Sequence, residues 1–236
     1  MISVKINSDD LSNLLWNKIL ENSYSKKITN FIQFQKAIDD LNLLRSQSTY
    51  NTGSITLTTA WLLYSLVYFF KPKTIVEVGS FIGRSTFSMA FAADDYSNEF
   101  MTEIFCCDFS NHITFPNLTK TKINQFHKKS STEMLSSLNK DKSIDLLHID
   151  GRLQSNDFSL LKELINDQTI FVLDDFEGVE KGCINLINLY QSNLISKSKY
   201  LLVSPINDLL KEKYQLYSKT TSAIIIPIKR LVFTSQ

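Results

Sequence analysis

Apolar positions in the first 70 residues recur with the spacing of helices. One such stretch covers residues 8–22, where Ser8 is a residue type that caps helices, and a second covers residues 27–45. A third stretch begins with Ser54 as its expected cap, is apolar almost throughout, and ends before Pro72. The pattern predicts three N-terminal helices, the third of them buried.

After Pro72 the pattern changes to short apolar runs that alternate with helical stretches. The predicted strands cover residues 74–78, 103–108, 123–127, 145–150, 169–174, 200–204 and 223–228. The predicted helices between them cover residues 83–93, 132–138, 156–165 and 178–191. The strands are continuously apolar, which is typical of a sheet covered on both faces. The sequence therefore predicts an α/β fold, a doubly wound and mostly parallel seven-stranded sheet, with residues 1–54 as a helical extension or lid and residues 55–236 as the α/β domain.

Composition narrows the classes of function. The 236 residues are 43% hydrophobic and 21% charged, which is a globular composition. Lys and Arg number 25 against 24 Asp and Glu, so the basic excess expected of a nucleic-acid-binding protein is missing. The most apolar run, residues 60–70, is shorter than the roughly 20 residues that cross a membrane. No secretory signal is recognisable, and three cysteines without paired spacing suit a reducing compartment, so a cytoplasmic protein is expected.

Polar residues follow four of the predicted strands at the point where each strand ends. They are Glu77 to Gly79, Asp108, Asp150, and the pair Asp174 and Asp175. Open α/β sheets bind ligands outside the carboxyl ends of their strands. A single aspartate at a strand end often caps the next helix, whereas polar residues at four such ends around one crevice indicate a binding site.

The loop from Glu77 to Thr86 joins the first strand to a helix. Gly79 permits a tight turn, and Gly83 permits close packing or the approach of a ligand. Phe81 stands where a dinucleotide-binding loop needs glycine, which argues against NAD and favours a smaller anion such as a carboxylate at the helix N-terminus. Taken alone, the loop is explained equally well as an ordinary glycine-bearing turn.

The remaining acidic residues suggest a sugar contact and a metal site. Asp108 could accept hydrogen bonds from both hydroxyls of a ribose, with a solvated turn as the alternative. Asp150, Asp174 and Asp175 could converge, and three ionised carboxylates need a cation such as Mg²⁺, Mn²⁺ or Ca²⁺. Helix capping is the alternative for the last two. His127 ends the predicted third strand and is a further candidate for the site.

Four segments together resemble the class I S-adenosylmethionine-dependent methyltransferases. They are IVEVGSFIGRSTFSMA, the strand that ends in Asp108, DLLHIDG and FVLDD. The resemblance covers roughly residues 55–228 and is greatest to the catechol-type and sugar O-methyltransferases, which depend on a divalent metal. It implies Mg²⁺-assisted transfer of a methyl group from S-adenosylmethionine to a small hydroxylated acceptor, such as a catechol or another diol.

The resemblance also implies roles for individual residues. Glu77 would hold the amino group of the cofactor directly or through water, Ser85 its carboxylate, and Asp108 its ribose. The other cofactor contacts implied are Gly79, Ser80, Phe81, Gly83 and either Ser130 or Ser131. The ligands implied for Mg²⁺ are Asp150, Asp174 and Asp175.

Two positions depart from the pattern of these families. Leu153 stands where catechol-type enzymes carry a lysine base, and Arg152 where sugar enzymes often carry an acidic residue. Asp150, Asp157 and His127 are the remaining candidates for the base. The missing base also motivates an alternative, a protein that binds S-adenosylmethionine or S-adenosylhomocysteine without catalysis, as a regulatory or partner subunit. The N-terminal helices could form a lid or a dimer contact, so a homo-oligomer is one expectation.

Overall fold

A seven-stranded sheet organises the chain in the computed structural model, which describes residues 8–48, 53–109, 113–176 and 179–231. The strands are β1 (Thr74–Val78), β2 (Glu103–Asp108), β3 (Lys122–His127), β4 (Ile144–Ile149), β5 (Ile165–Leu173), β6 (Tyr200–Val203) and β7 (Ala223–Pro227). Their order in the sheet is β3-β2-β1-β4-β5-β7-β6, in which the first five are parallel and β7 runs antiparallel to both of its neighbours. The predicted fold class is confirmed.

Helices cover both faces of this sheet. They are α1 (Ser8–Asp40), α2 (Leu57–Phe70), α3 (Arg84–Asp95), α4 (Ser131–Ser137), α5 (Asp157–Leu164), α6 (Ile184–Gln191) and α7 (Asp208–Lys213). Successive strand residues serve opposite faces, as in β1, where Ile75 packs with α1, α2 and α3 while Val76 packs with α4, α5 and α6. Both residues are fully buried, which accounts for the continuous apolar runs of the strands.

The first two predicted helices are wrong as separate elements, because they form the single helix α1, followed by a 3₁₀ turn over Leu41–Gln47. The polar residues between the two apolar stretches include neither glycine nor proline, so nothing breaks the helix there. Within α1, Trp16 is 2% exposed and shares an apolar cluster with α2 and β1. The division of the chain at residue 54 stays a prediction, and α1 contributes to the core of the α/β domain.

Other helix boundaries also differ from the predicted ones, because local caps and turns determine where each helix begins. Thr56, and not Ser54, caps α2, and its Oγ1 accepts a hydrogen bond from the backbone N–H of Thr59. The predicted helix 178–191 contains a π-helical turn, Val179–Cys183, before α6. The sequence assigned no element to residues 205–222, where Asn207 caps the short helix α7. Within the described ranges, no helix combines the length and apolarity that crossing a membrane requires.

The strand register sets the carboxyl ends of the central strands side by side. Val78 at the end of β1 pairs with Cys107 in β2 and with Ile149 in β4, and Ile149 pairs in turn with Leu173 in β5. The acidic residues at or just after these ends are therefore brought to one edge of the sheet.

Candidate active site

A cavity of about 830 Å³ opens at this edge of the sheet. Its volume lies within the roughly 300–1,000 Å³ that is usual for small-molecule sites. The wall includes residues from the β1–α3 loop, the ends of β2, β4 and β5, the start of α4 and the segment before β7. The predicted site residues among them are Gly79, Phe81, Asp108, Ser131, Asp150, Asp174 and Asp175.

The β1–α3 loop is held tightly against its neighbours. Gly79 has φ +93°, and a Cβ on it would lie 2.9 Å from the carbonyl carbon of Asp150, so a side chain is excluded there. Its N–H donates to the carbonyl of Cys107 at 2.9 Å. The N–H of Phe81 donates to Asp108 Oδ2 at 2.8 Å. These hydrogen bonds hold the loop against the end of β2, next to Asp108.

Three other loop residues lie away from the cavity. Gly83 has φ +83° and precedes α3, where an added Cβ would come within 2.9 Å of the Phe115 ring, so this glycine serves close packing. Ser80 and Ser85 are 2% and 4% exposed, respectively. The structure therefore does not bring Ser80, Gly83 or Ser85 to the wall of the cavity, in contrast to the cofactor contacts expected from the sequence.

Glu77 also lies beneath the loop and off the cavity wall. Its carboxylate is fully buried, accepts a hydrogen bond from Thr86 Oγ1, and lies 3.0 Å from His148 Nδ1. Burial by itself lowers the pKa of His148, but the hydrogen bond to Glu77 and its charge outweigh that effect, and the pKa is raised. Because Glu77 is committed to this buried cluster, a direct contact with a ligand is not available to it in this arrangement.

Asp108 and Ser131 do line the cavity. Asp108 is the last residue of β2, and Ser131 is the first residue of α4. The preceding Ser130 caps that helix in a reciprocal pair of hydrogen bonds with Glu133. Ser131 Oγ donates to Asp157 Oδ2 at 2.5 Å.

Two candidates for the base, Asp157 and His127, are not brought to the cavity. Asp157 is fully buried and accepts hydrogen bonds from Ser131 Oγ, Thr132 Oγ1 and the backbone N–H of Gln154, at 2.5, 2.5 and 2.7 Å. His127 is exposed at the end of the edge strand β3, in register with Asp108. Neither residue lines the wall, so this geometry favours a structural role for Asp157 and gives His127 no access to the site.

Asp157→Ala is expected to lower the free energy of unfolding by about 2–4 kcal/mol, because it removes a buried carboxylate that accepts three hydrogen bonds. Urea denaturation would measure the change. Asp141→Ala is the matched control, because Asp141 is exposed, and it should change stability by less than about 0.5 kcal/mol. An Asp157→Ala protein that kept its stability but lost activity would instead support a catalytic role for this carboxylate.

The three aspartates Asp150, Asp174 and Asp175, termed here the aspartate cluster, all line the cavity just after the ends of β4 and β5. A lysine ammonium lies among them. Lys181 Nζ is 3.3 Å from Asp150 Oδ1 and 2.8 Å from Asp175 Oδ2. Asp174 Oδ1 accepts a hydrogen bond from Ser222 Oγ at 2.6 Å.

This arrangement does not fit the expected Mg²⁺ site. Mg²⁺ needs oxygen ligands in near-octahedral geometry at about 2.0–2.1 Å, whereas two of the three carboxylates are paired with the Lys181 ammonium. Over the described ranges, no three His, Cys, Asp or Glu side chains are grouped so that they could hold a metal ion.

The charges of the cluster change its proton affinities. Burial raises the pKa of Asp150 to about 7, and the neighbouring charge of Asp174 adds to this effect. Burial lowers the pKa of Lys181, but its hydrogen bond to Asp175 and the charges of Asp150 and Asp175 outweigh that effect, and the pKa is raised. Lys181 is therefore a permanent cation at neutral pH, while Asp150 exchanges its proton close to pH 7.

Sequence reasoning missed Lys181. The residue falls within a stretch that reads as an ordinary helix, six positions after Asp175. The available signal was a lysine close in sequence to two aspartates at a strand end.

Residues 76–176 match the family model described as a methyltransferase domain. No curated protein matches the chain. Among solved structures, an O-methyltransferase from Bacillus cereus in complex with SAH has a TM-score of 0.55 and 10% identity, covering 81% of this chain and 90% of that one. The O-methyltransferase TomG from Streptomyces achromogenes, involved in tomaymycin synthesis and solved with SAM, has a TM-score of 0.53 and 10% identity over 81% and 89% of the two chains. A methyltransferase from Geobacter sulfurreducens has a TM-score of 0.51 and 10% identity over 83% and 88%.

These likenesses establish the fold, which the chain shares with solved O-methyltransferases at 10% identity. The segment that matches the methyltransferase domain runs from within β1 to just past the end of β5 and contributes much of the cavity wall.

Proposed function

We propose that the protein is an S-adenosylmethionine-dependent O-methyltransferase that acts on a small hydroxylated molecule. The observation that carries the proposal is that the Gly79 loop, Asp108 and the aspartate cluster line one cavity at the carboxyl edge of the sheet. The O-methyltransferases from Bacillus cereus and Streptomyces achromogenes, which share the fold, support it because they were solved with SAH and SAM.

The residues on the wall suit the cofactor. Gly79 lets the backbone approach a ligand, and Asp108 would accept hydrogen bonds from ribose hydroxyls, because a carboxylate can accept several hydrogen bonds at once. Ser131 at the start of α4 would lie beside the adenine. When bound, S-adenosylmethionine supplies a methyl group on a positively charged sulfur.

The protein's own task is to hold the acceptor oxygen in line with that methyl group and to take its proton. A new oxygen–carbon bond forms, the sulfur–carbon bond breaks, and the hydroxyl proton leaves. We assign the role of proton acceptor to Asp150, because this carboxylate lines the cavity and the other candidates, Asp157 and His127, do not. Correct orientation of the acceptor oxygen can by itself lower the activation free energy by several kcal/mol. Since the aspartate cluster does not fit Mg²⁺, no step is assigned to a metal.

The proposal is tested by calorimetric titration of S-adenosylhomocysteine into the wild-type protein and into Asp108→Asn. Asparagine keeps the size of the side chain and removes its charge, so we expect binding to weaken roughly 10- to 150-fold, the equivalent of about 1.5–3 kcal/mol for a hydrogen bond to a charged group. Asp141→Asn, an exposed control, should bind like the wild type. A folded wild-type protein that does not bind S-adenosylhomocysteine would reject the proposal.

A second candidate is a regulatory or partner protein that binds the same ligand without turnover. It is favoured because Leu153 stands where catechol-type enzymes carry a lysine base and Arg152 stands where sugar enzymes often carry an acidic residue. Leu153 is 8% exposed, and its N–H is bonded to Asn185 Oδ1, so it contributes to packing. Formation of S-adenosylhomocysteine from S-adenosylmethionine in the presence of any hydroxylated acceptor would exclude this candidate.

The remaining expectations stay predictions. They are a small-molecule acceptor, no nucleic-acid or membrane partner, a cytoplasmic location, and a homo-oligomer formed through the N-terminal helices.

A further inference from the structure

The Lys181 ammonium bridges two carboxylates on the wall of the cavity. Its distances to Asp150 Oδ1 and Asp175 Oδ2 are 3.3 and 2.8 Å. The three side chains are 37%, 22% and 48% exposed, so the group is reachable from the cavity and only partly hydrated. A cation that joined the same two carboxylates would have to lie in the space that the ammonium holds.

The backbone fixes this position. Lys181 belongs to the π-helical turn Val179–Cys183, a rare geometry that is frequent at functional sites. A Cβ on Gly182 would lie 2.7 Å from the carbonyl oxygen of Asp174 and 2.7 Å from the Cα of Phe176. Only glycine lets the turn pack this closely against the end of β5. Main-chain packing therefore places the ammonium beside the aspartates, so its position does not depend on the flexible side chain alone.

The aspartate on the other side of this pair is also positioned by its backbone. Asp175 has φ +51°, a left-handed conformation that aspartate tolerates better than most residues do. The next residue, Phe176, donates its N–H to the carbonyl of Thr221 at 3.0 Å. Both halves of the ion pair are thus anchored in the fold.

We propose that Lys181 is the resident cation of the acceptor site and that methyl transfer by this protein requires no divalent metal. This inference rests on the proposed function, because it concerns the acceptor end of the same cavity. An ammonium has three N–H donors, of which two point to Asp150 and Asp175, and the third suits the acceptor oxygen. Its charge stabilises the oxygen as the proton leaves.

The proposal changes the expected acceptor. A divalent ion orients its acceptor by chelating two neighbouring oxygens, whereas one N–H of an ammonium directs a single oxygen. Acceptors with one hydroxyl group should therefore be used as well as vicinal diols.

The test uses Mn²⁺ as a probe, titrated into the full-length protein and followed by electron paramagnetic resonance. We expect no saturable binding to the wild type at Mn²⁺ concentrations up to about 1 mM, near the weak end of protein sites for divalent ions. Lys181→Met keeps much of the side-chain bulk but removes the charge, so it should gain at least about tenfold in Mn²⁺ affinity. Lys140→Met is the matched control, because Lys140 forms an exposed ion pair with Glu163, and it should behave like the wild type.

Saturable Mn²⁺ binding to the wild type that is lost in Asp174→Asn would overturn the proposal, and this measurement does not depend on any variant of Lys181. An unchanged Mn²⁺ affinity in a folded Lys181→Met protein would overturn it too. Calorimetry with S-adenosylhomocysteine on the same samples separates the two proposals. If the wild type binds this ligand but also holds Mn²⁺, the inference about Lys181 fails and the proposed function stands.

Discussion

Asp150→Asn should lower kcat by about 100- to 10,000-fold, which is the usual contribution of a general base. The substitution preserves the shape of the side chain but removes the group that we propose accepts the hydroxyl proton. Affinity for S-adenosylhomocysteine should change much less, because that affinity is assigned mainly to Asp108 and the Gly79 loop. Single turnover with labelled S-adenosylmethionine and a hydroxylated acceptor would measure the rate without interference from product release.

The pH dependence of the wild type provides a second readout of the same residue. Asp150 must be ionised to take a proton, and its pKa is raised to about 7. The rate should therefore fall about tenfold for each pH unit below 7 and level off above it. Asp150→Asn should abolish this decrease of the rate at low pH. A variant with normal kcat, or an unchanged profile in the variant, would show that another group accepts the proton.

Gly79→Ala should lower the free energy of unfolding by about 2–6 kcal/mol and abolish measurable binding of S-adenosylhomocysteine. The backbone has φ +93°, which is strained for alanine and costs about 1–3 kcal/mol. The new methyl group would also meet the carbonyl carbon of Asp150 at 2.9 Å, and overpacking typically costs a further 1–3 kcal/mol or so. Relief of that contact requires the loop to move away from the end of β4, which would alter the wall of the cavity.

Denaturant unfolding and calorimetry on the same preparation would measure both effects. Gly53→Ala is the matched control for stability, because a Cβ at that position has no neighbour within 4 Å among the described residues. It should shift stability by less than about 0.5 kcal/mol. Equal stability of the two variants would mean that neither the positive φ of Gly79 nor its close contact with Asp150 excludes a side chain there.

The sheet and the edge that carries the site could be predicted because parallel strands align their carboxyl ends. Residues at or just after those ends, such as Asp108, Asp150 and Asp174, follow from the position of each strand alone. Residues inside the loop do not, because the orientation of each side chain depends on packing between elements. Glu77 and Ser85 were expected to reach the ligand, but the first is held by Thr86 and His148, and the second is buried in the first turn of α3.

Lys181 illustrates a different limit of the sequence. Its position depends on a π-helical turn and on the close approach of Gly182 to Asp174, and neither has a sequence period of its own. The continuity of α1 was missed for the opposite reason, because a short polar interval looked like a boundary although no residue in it disfavours a helix.

The long helix α1 also constrains how the chain acquires its structure. Trp16 Nε1 donates to the carbonyl of Ser204, and the Tyr214 hydroxyl donates to Asn17, so the first helix is completed by residues almost 200 positions later. During synthesis, α1 can pack on α2 early, but its hydrogen bonds to Ser204 and Tyr214 can form only after those residues have been made. Contacts of such long sequence separation slow folding and prolong the exposure of apolar surface. The side of α1 that meets residues 204–214 therefore stays without its partners for longer than the side that packs on α2.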